Sequence, residues 1–243
     1  MRSILAGVIV AAACAVSQAG VVFSGTSSGG KAAEATFSVN ASGELIVTLS
    51  NTSLADVLMP PDILTAISFD ISGPAVALTR LSGHLGAGST VVYDPDGQPA
   101  GGDIGGEWAY RAGVVGAPGG RDYIISSSGL GGLVGNGDRF PGPDLSPPPN
   151  PDGLQYGLTS LGDDIATGNG GVLGSGGLIK HSVVFRLGNA GANFDLSRIE
   201  NVLFIYGTSL GEGEFTGTLI IPAPGAVGLM AAGLGVMGLR RRR

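Results

Sequence analysis

Residues 32–51 read AAEATFSVNASGELIVTLSN, and this stretch decides the fold class of the chain. Apolar residues alternate with polar ones on both sides of a short turn, Ala41-Ser42-Gly43. Two runs with a period of two, joined by turn residues, predict a β-hairpin with one buried and one solvated face. The residues expected on the buried face are Ala33, Ala35, Phe37, Val39, Leu45, Val47 and Leu49.

The rest of the body repeats this pattern in shorter pieces. The run ILTAISFDI follows Pro60-Pro61, and its alternation predicts that Ile63, Thr65, Ile67, Phe69 and Ile71 share one face. Further candidate strands are AVALTRL, TVVY, EWAYR, DYIIS, LQYGL, HSVVFRL, NVLFIY and FTGTLII. No segment keeps a helical period beyond about two turns, and FDLSRIEN predicts only a single turn with Asp195 as N-cap.

These patterns predict an all-β protein of one domain. The expected architecture is an antiparallel β-sandwich or jelly-roll-like domain. Residues 83–153 are rich in glycine and proline, which predicts long loops there.

The first 19 residues have the pattern of a secretory signal peptide. Arg2 is followed by an apolar run from Ile4 to Val16, and small residues stand at Ser17 and Ala19. We therefore expect cleavage before Gly20. The alternative, a retained membrane helix, has an apolar run that is short for a bilayer span.

The only cysteine of the chain, Cys14, lies inside this segment. The sequence Ala11-Ala12-Ala13-Cys14 leaves a lipoprotein cleavage site as an alternative. Removal of the signal would leave no thiol, which would exclude disulfides, thiolate metal sites and cysteine catalysis.

The charge of the body is strongly acidic. Residues 20–221 contain 8 Lys/Arg against 19 Asp/Glu, a net charge of −11. Nucleic acids and anionic lipids require a basic surface, so neither is expected as a partner.

The segment at residues 222–243, PAPGAVGLMAAGLGVMGLRRRR, has three parts in order. Pro222, Ala223 and Pro224 precede an apolar run over residues 225–239, which ends in Arg240, Arg241, Arg242 and Arg243. The apolar run is a marginal membrane span. The arginines would hold its end in the cytoplasm and leave the prolines at the outer face.

This segment resembles the PEP-CTERM sorting signal of Gram-negative bacteria, with Ala223 where the family has Glu. The resemblance implies export by the general secretion machinery, transient membrane insertion through a C-terminal hydrophobic sorting helix, and processing by an exosortase. It further implies a location at the cell surface or outside the cell, in bacteria that make exopolysaccharide and biofilm matrix. A permanently retained anchor is the alternative, whereas the arginines contradict a GPI signal.

Candidate catalytic groups do not form a recognisable set. The pattern G-x-S-x-G occurs at residues 25–29 and 207–211, but no histidine follows Ser209. A hydrolase serine of this pattern needs a strand-to-helix elbow and a later histidine. The two histidines, His84 and His181, are too few for a usual zinc site.

Calcium is the one cofactor that the sequence leaves open. Acidic turns occur at Asp94, Asp96, Asp103, Asp163, Asp164, Glu212 and Glu214, but none has the spacing of a known calcium loop. Solvated turns are the favoured interpretation, and no cofactor is expected.

Three function classes follow from these observations. We expect a non-enzymatic surface or matrix protein, associated with biofilm or exopolysaccharide. The first alternative is a carbohydrate-binding module, with or without assistance from calcium, that uses Trp108, Tyr110 or Tyr156. The second is a secreted hydrolase that joins an acid to His84 or His181.

The sequence also contains a faint internal repeat. YGLTSLGDD begins at Tyr156, YGTSLGEGE at Tyr206, and the looser YIISSSGLG at Tyr123. The spacings are unequal, so a solenoid is not indicated. We interpret the repeat as similar strand ends followed by similar tight turns.

Overall fold

A computed structural model describes residues 20–94, 97–134, 145 and 153–220. The described chain is all-β, and its strands are Val21–Thr26 (β1), Ala32–Val39 (β2), Leu45–Asn51 (β3), Leu64–Ile71 (β4), Thr79–Leu85 (β5), Thr90–Val92 (β6), Ala109–Ala112 (β7), Tyr123–Ser126 (β8), Leu158–Thr159 (β9), Leu178–Lys180 (β10), Ser182–Gly188 (β11), Ile199–Tyr206 (β12), Glu214–Thr216 (β13) and Thr218–Ile220 (β14). Within the described residues, the helical elements are one short α-helix, Gly170–Leu173 (α1), and 3-10 turns at Pro60–Asp62, Ala100–Gly102, Pro118–Gly120, Leu130–Gly132 and Leu196–Arg198.

The first sheet contains the hairpin that the sequence predicts. Its order is β14-β1-β2-β3-β11-β5, and each neighbouring pair is antiparallel. Buried and half-buried residues alternate strictly along β2 and β3. The predicted buried face is therefore confirmed, because the period of a strand places every second side chain on the same face.

The second sheet is built around β4. It has the order β13-β12-β4-β9-β10-β6, and β8 pairs with β4 while β7 pairs with β8. All of its pairs are antiparallel except β9 with β10. The register of β4 against β12 shifts near Leu64, so Leu64 reaches the central core and Thr65 is displaced from the face that alternation predicts.

The two sheets pack face to face over an apolar core. Phe37 lies at its centre and meets Phe23 and Phe69 edge-on, with ring centroids 5.8 and 5.2 Å apart. Trp108 packs on Phe185 with ring centroids 4.8 Å apart. Aromatic pairs in such arrangements stabilise a core beyond the area that they bury.

A second apolar layer covers the outer face of the second sheet. Val114, Leu130 and Val134 come from the segments around β8 and pack on Ala66 and Ile205. Residues 64–69 of β4 are consequently buried on both faces of the sheet, including the polar Thr65 and Ser68.

One edge of the sandwich is closed by a strand that crosses between the sheets. The run FTGTLII, expected as one strand, is split at Gly217 into β13 on the second sheet and β14 on the first. A Cβ at Gly217 would lie 2.9 Å from Phe204 Cε2 and 3.2 Å from Phe23 Cβ. Only glycine lets the backbone pass this close to the core.

The sandwich has two distinct ends. At one end, which we call the terminal pole, β1 begins and β14 ends, with Val22 opposite Ile220. The other end, the loop pole, holds residues 27–31, 52–63 and 207–213, which connect strands that end or begin there, and residues 160–177, which follow the end of β9. Hydrogen bonds join the sheets at this pole, including Tyr206 Oη to the Ala32 carbonyl at 3.1 Å.

Candidate functional site

The three repeat segments meet at the loop pole. Strands β8, β9 and β12 all run antiparallel to β4, so their last residues gather beside its first residues. Ser128 Oγ donates to the Thr208 carbonyl at 3.2 Å, and Ser127 Oγ donates to the Gly153 carbonyl at 3.2 Å. The interpretation as similar strand ends with tight turns agrees with this arrangement.

A polar cavity of about 450 Å³ opens between these turns. This size falls within the range of about 300–1,000 Å³ that is usual for small-molecule sites. Its polar side chains are Gln155, Ser175 and Thr208, while Pro60 and Leu154 supply apolar surface. The remaining lining residues are glycines, so backbone groups form much of the wall; they are Gly153, Gly171, Gly174 and Gly176. We call this cavity the hydroxyl pocket.

Hydrogen bonds fix each wall of the hydroxyl pocket. The Glu212 carboxylate accepts from Thr208 N at 2.7 Å and from Ser209 N at 3.2 Å, which closes the turn that presents Thr208. The Asn169 side chain accepts from Gly171 N at 2.9 Å and caps α1. A pocket whose walls are held in place loses little entropy when a ligand binds.

Two features of the walls distinguish Ser175 and Gly176. Ser175 Oγ is buried and has no hydrogen-bond partner among the described residues. Gly176 has φ +81°, and a Cβ there would lie 3.0 Å from Gln155 Oε1. A larger residue at position 176 would therefore be strained and would crowd the Gln155 amide.

Large apolar side chains are exposed on the loops beside the pocket. Leu54 is 80% exposed, and the neighbouring loops expose further large apolar side chains, namely Leu58, Met59, Ile165 and Leu173. Leu173 immediately precedes Gly174 of the pocket, and Met59 immediately precedes Pro60. Apolar side chains next to a polar pocket can add contact area to a bound ligand.

Lys31 ties the β1–β2 turn to the loop pole. Its Nζ donates to the Pro61 carbonyl and, at 3.3 Å, to the Glu212 carbonyl, and it lies 5.2 Å from the centroid of the Tyr206 ring. Burial lowers the pKa of Lys31, and nearby Asp62 partly opposes this effect. Through these contacts Lys31 holds the Pro61 loop and the Glu212 turn together.

The acidic turns use several carboxylates for internal hydrogen bonds. Asp163 is buried and accepts from the Tyr93 hydroxyl at 3.0 Å and from Thr159 Oγ1 at 2.5 Å. The Thr167 hydroxyl donates to Asp56 at 2.6 Å and, with the Asp164 backbone N–H, lowers the pKa of Asp56.

The calcium candidates do not come together. Within the described ranges, no group of three or more His, Cys, Asp or Glu side chains is placed to hold a metal ion. Asp103 Oδ1 accepts from Gly105 N, and Glu212 closes the turn of Thr208. Asp96 lies outside the described residues.

The aromatic residues proposed for sugar binding are mostly in the core. Trp108 is fully buried, and its indole N–H donates to the Tyr156 carbonyl at 3.1 Å. Tyr110 is 6% exposed. Tyr156 is half-buried, and its hydroxyl donates to the Gly97 carbonyl at 2.9 Å. Trp108 therefore cannot offer a ring face to a ligand, whereas Tyr110 borders a second cavity, which β5 and β7 also line.

The two serine motifs lie in turns between strands. Residues 25–29 lead from β1 into β2, and residues 207–211 lead from β12 into β13, so no helix follows either serine. His84 lies in β5 and His181 between β10 and β11, and neither lines the hydroxyl pocket. Nor do they line a second cavity of about 550 Å³ near the terminal pole, which β5 and β7 border.

The predicted processing segments mostly lie outside the described residues. Ser17 and Ala19 precede the described chain, which starts at Gly20, and residues 222–243 with Pro222, Ala223, Pro224 and the four arginines follow it. Across the described ranges, no helix has the length and apolar character needed to span a bilayer.

Sequence reasoning did not select Gln155, Ser175 or Thr208 as a site. Thr208 belongs to a repeat segment, and that repeat was the one available signal for a shared location.

Comparisons with protein-family models, with curated proteins and with solved structures found no match to this chain.

Proposed function

We propose that this chain is an exported, exosortase-processed protein of the cell surface or extracellular matrix, with a structural role and no enzymatic activity. Residues 1–19 direct secretion, residues 20–221 form a jelly-roll-like β domain, and residues 222–243 insert transiently as a hydrophobic sorting helix. An exosortase and the general secretion machinery are the partners, in a bacterium with an exopolysaccharide matrix. Nucleic acid is not a partner.

The observation that supports this proposal best is the position of the two ends of the domain. Val22 and Ile220 are opposite each other on neighbouring strands, which lie about 4.8 Å apart. Both processing segments therefore join the domain at the terminal pole. A domain held at that pole presents its loop pole away from the membrane.

Two further observations support a non-catalytic role. The serines of both G-x-S-x-G patterns lie in strand-to-strand turns, whereas an esterase of this type requires a strand-to-helix elbow. Glu212 and Asp163 are engaged with backbone N–H groups or hydroxyls of their own turns.

A carbohydrate-binding module is the second candidate. It depends on the hydroxyl pocket and not on the aromatic residues that the sequence suggested. The hydroxyl pocket offers neutral hydrogen-bonding groups in a cavity of about 450 Å³ at the loop pole. This geometry favours a polar, uncharged ligand and is developed below.

The sorting proposal is tested by intact-mass measurement of the exported protein, in cells with and without exosortase. We expect the mature product to begin at Gly20 and to lack Arg240–Arg243 only when the exosortase is present. Replacement of Pro222 and Pro224 by alanine should block processing, while Pro74→Ala, at an exposed proline of the body, should not. Retention of the arginines in exosortase-positive cells would refute the proposal.

A further inference from the structure

We propose that the hydroxyl pocket binds a neutral saccharide, with one sugar residue between Gln155, Ser175 and Thr208. The inference rests on the proposed function, because export is what would expose the pocket to saccharides outside the cell. Its physical basis is the chemistry of the pocket walls.

The charge of the site excludes most other ligand classes. None of the described residues that line the pocket is ionisable, and the Glu212 carboxylate behind Thr208 is held by two backbone N–H groups. Among these described residues, an anion would find no cationic partner and a cation would find no carboxylate. Buried charges without such partners are unfavourable, so the ligand should be uncharged.

The donors and acceptors match a polyhydroxylated molecule. Each hydroxyl of Ser175 and Thr208 can both donate and accept, and the Gln155 amide offers one oxygen and two N–H bonds. Sugar hydroxyls have the same dual character. The four lining glycines add backbone groups that no side chain screens.

Ser175 gives a specific reason for a ligand. Its buried hydroxyl lacks a partner within the described residues, and an unpaired buried hydroxyl is unfavourable. Because Ser175 lines the pocket, we expect another staggered χ1 rotamer to bring this hydroxyl to a bound ligand. Binding would then satisfy a group that the free protein leaves unpaired.

The apolar rim extends the site beyond one sugar. Leu58, Met59 and Leu173 are exposed next to pocket residues in sequence. The C–H faces of pyranose rings pack on apolar side chains, so an oligosaccharide that continues over this rim buries more surface than a monosaccharide. We therefore expect affinity to rise with chain length.

The test is a ligand titration of the purified protein, followed by saturation-transfer NMR and calorimetry. The probes are glucose, galactose, mannose, N-acetylglucosamine and the β-1,4-linked tetramers of glucose and N-acetylglucosamine, with glucuronate as the charged counterpart of glucose. We expect at least one neutral sugar to bind, its oligomer to bind more tightly, and glucuronate to bind at least about 10-fold more weakly.

Matched variants locate the binding. Thr208→Val and Gln155→Met keep the side-chain size and remove hydrogen bonds, so each should weaken binding about 5- to 10-fold. Thr218→Val, at an exposed threonine of β14, should leave the affinity unchanged. Near-native unfolding midpoints would show that the pocket variants are folded.

Three results would overturn the inference: no binding by any neutral probe at about 10 mM, equal affinity in the pocket and control variants, or preference for glucuronate. Because the titration uses purified protein, failure of the sorting proposal would not affect it. Conversely, absence of sugar binding would leave the mass measurement of the arginines unaffected.

Discussion

Phe37→Ala is the substitution that should destabilise this protein most clearly. Phe37 is fully buried on β2, and its ring lies between Phe23 of the same sheet and Phe69 of the opposite sheet. Truncation at this position removes contacts within one sheet and between the two sheets together. The packing of the two sheets on each other therefore depends on this ring.

The expected magnitude follows from these contacts. A buried Phe→Ala substitution costs about 3–5 kcal/mol, which includes the cavity that it leaves. Phe37 makes two edge-on aromatic contacts, so we expect the upper half of this range, about 4–5 kcal/mol. With a urea dependence of about 2 kcal/mol per molar, the unfolding midpoint should fall by about 2 M.

The fluorescence of the single tryptophan provides the assay. Trp108 is buried in the same core, so its emission should shift to longer wavelengths when urea unfolds the protein. Leu219→Ala is the control, because Leu219 is 45% exposed on β14 and should change stability by no more than about 0.5 kcal/mol. A midpoint shift below about 0.5 M for Phe37→Ala would refute the placement of this ring between the sheets.

Two further predictions concern single positions. Gly217→Ala should lower the free energy of unfolding in urea by about 1–3 kcal/mol, because its Cβ would meet the Phe204 ring at 2.9 Å. The control Gly170→Ala has open space and should be neutral or slightly stabilising, and equal losses of stability in the two variants would contradict the crossing of the strand at Gly217. Hydrogen bonds from Arg186, one of them 2.5 Å long, lower the pKa of Glu44, so the unfolding midpoint of the native protein should exceed that of Glu44→Gln at pH 7. This excess should vanish as the pH falls from the ordinary value of 4.5 through the lowered pKa of Glu44, and an excess that persists at pH 2 would refute this pairing.

The local pattern of the sequence was sufficient for the strands that have one wet face. Alternation identified the buried side of β2 and β3, and Asp195 was correctly expected to cap a single turn, where its side chain accepts from Ser197 N at 2.9 Å. These features depend on neighbours within a few residues. The period of two and the capping geometry are therefore visible without any knowledge of tertiary contacts.

Features that depend on distant segments were not predictable in the same way. The bulge that displaces Thr65 depends on the register of β4 against β12, far away in the sequence. The burial of Trp108 depends on its packing against Phe185, which lies in β11 of the other sheet. Periodicity identifies a shared face, but it does not show which element covers that face.

The hydroxyl pocket shows the same limit at a site. Gln155, Ser175 and Thr208 come from three connections, and only the strand order of the second sheet brings them to one pole. No spacing rule relates neutral residues on separate loops. The weak repeat at Tyr156 and Tyr206 did indicate part of this arrangement, because both repeat segments lie beside the start of β4.

The fold keeps three features apart. The aromatic core lies between the sheets, both ends of the described chain lie at the terminal pole, and the hydroxyl pocket lies at the loop pole. The length of the sandwich therefore lies between Ile220 and the pocket. Under the proposed sorting, a membrane-held form and a released form should then offer the same pocket, and substitutions in the loops should change the pocket without changing the core.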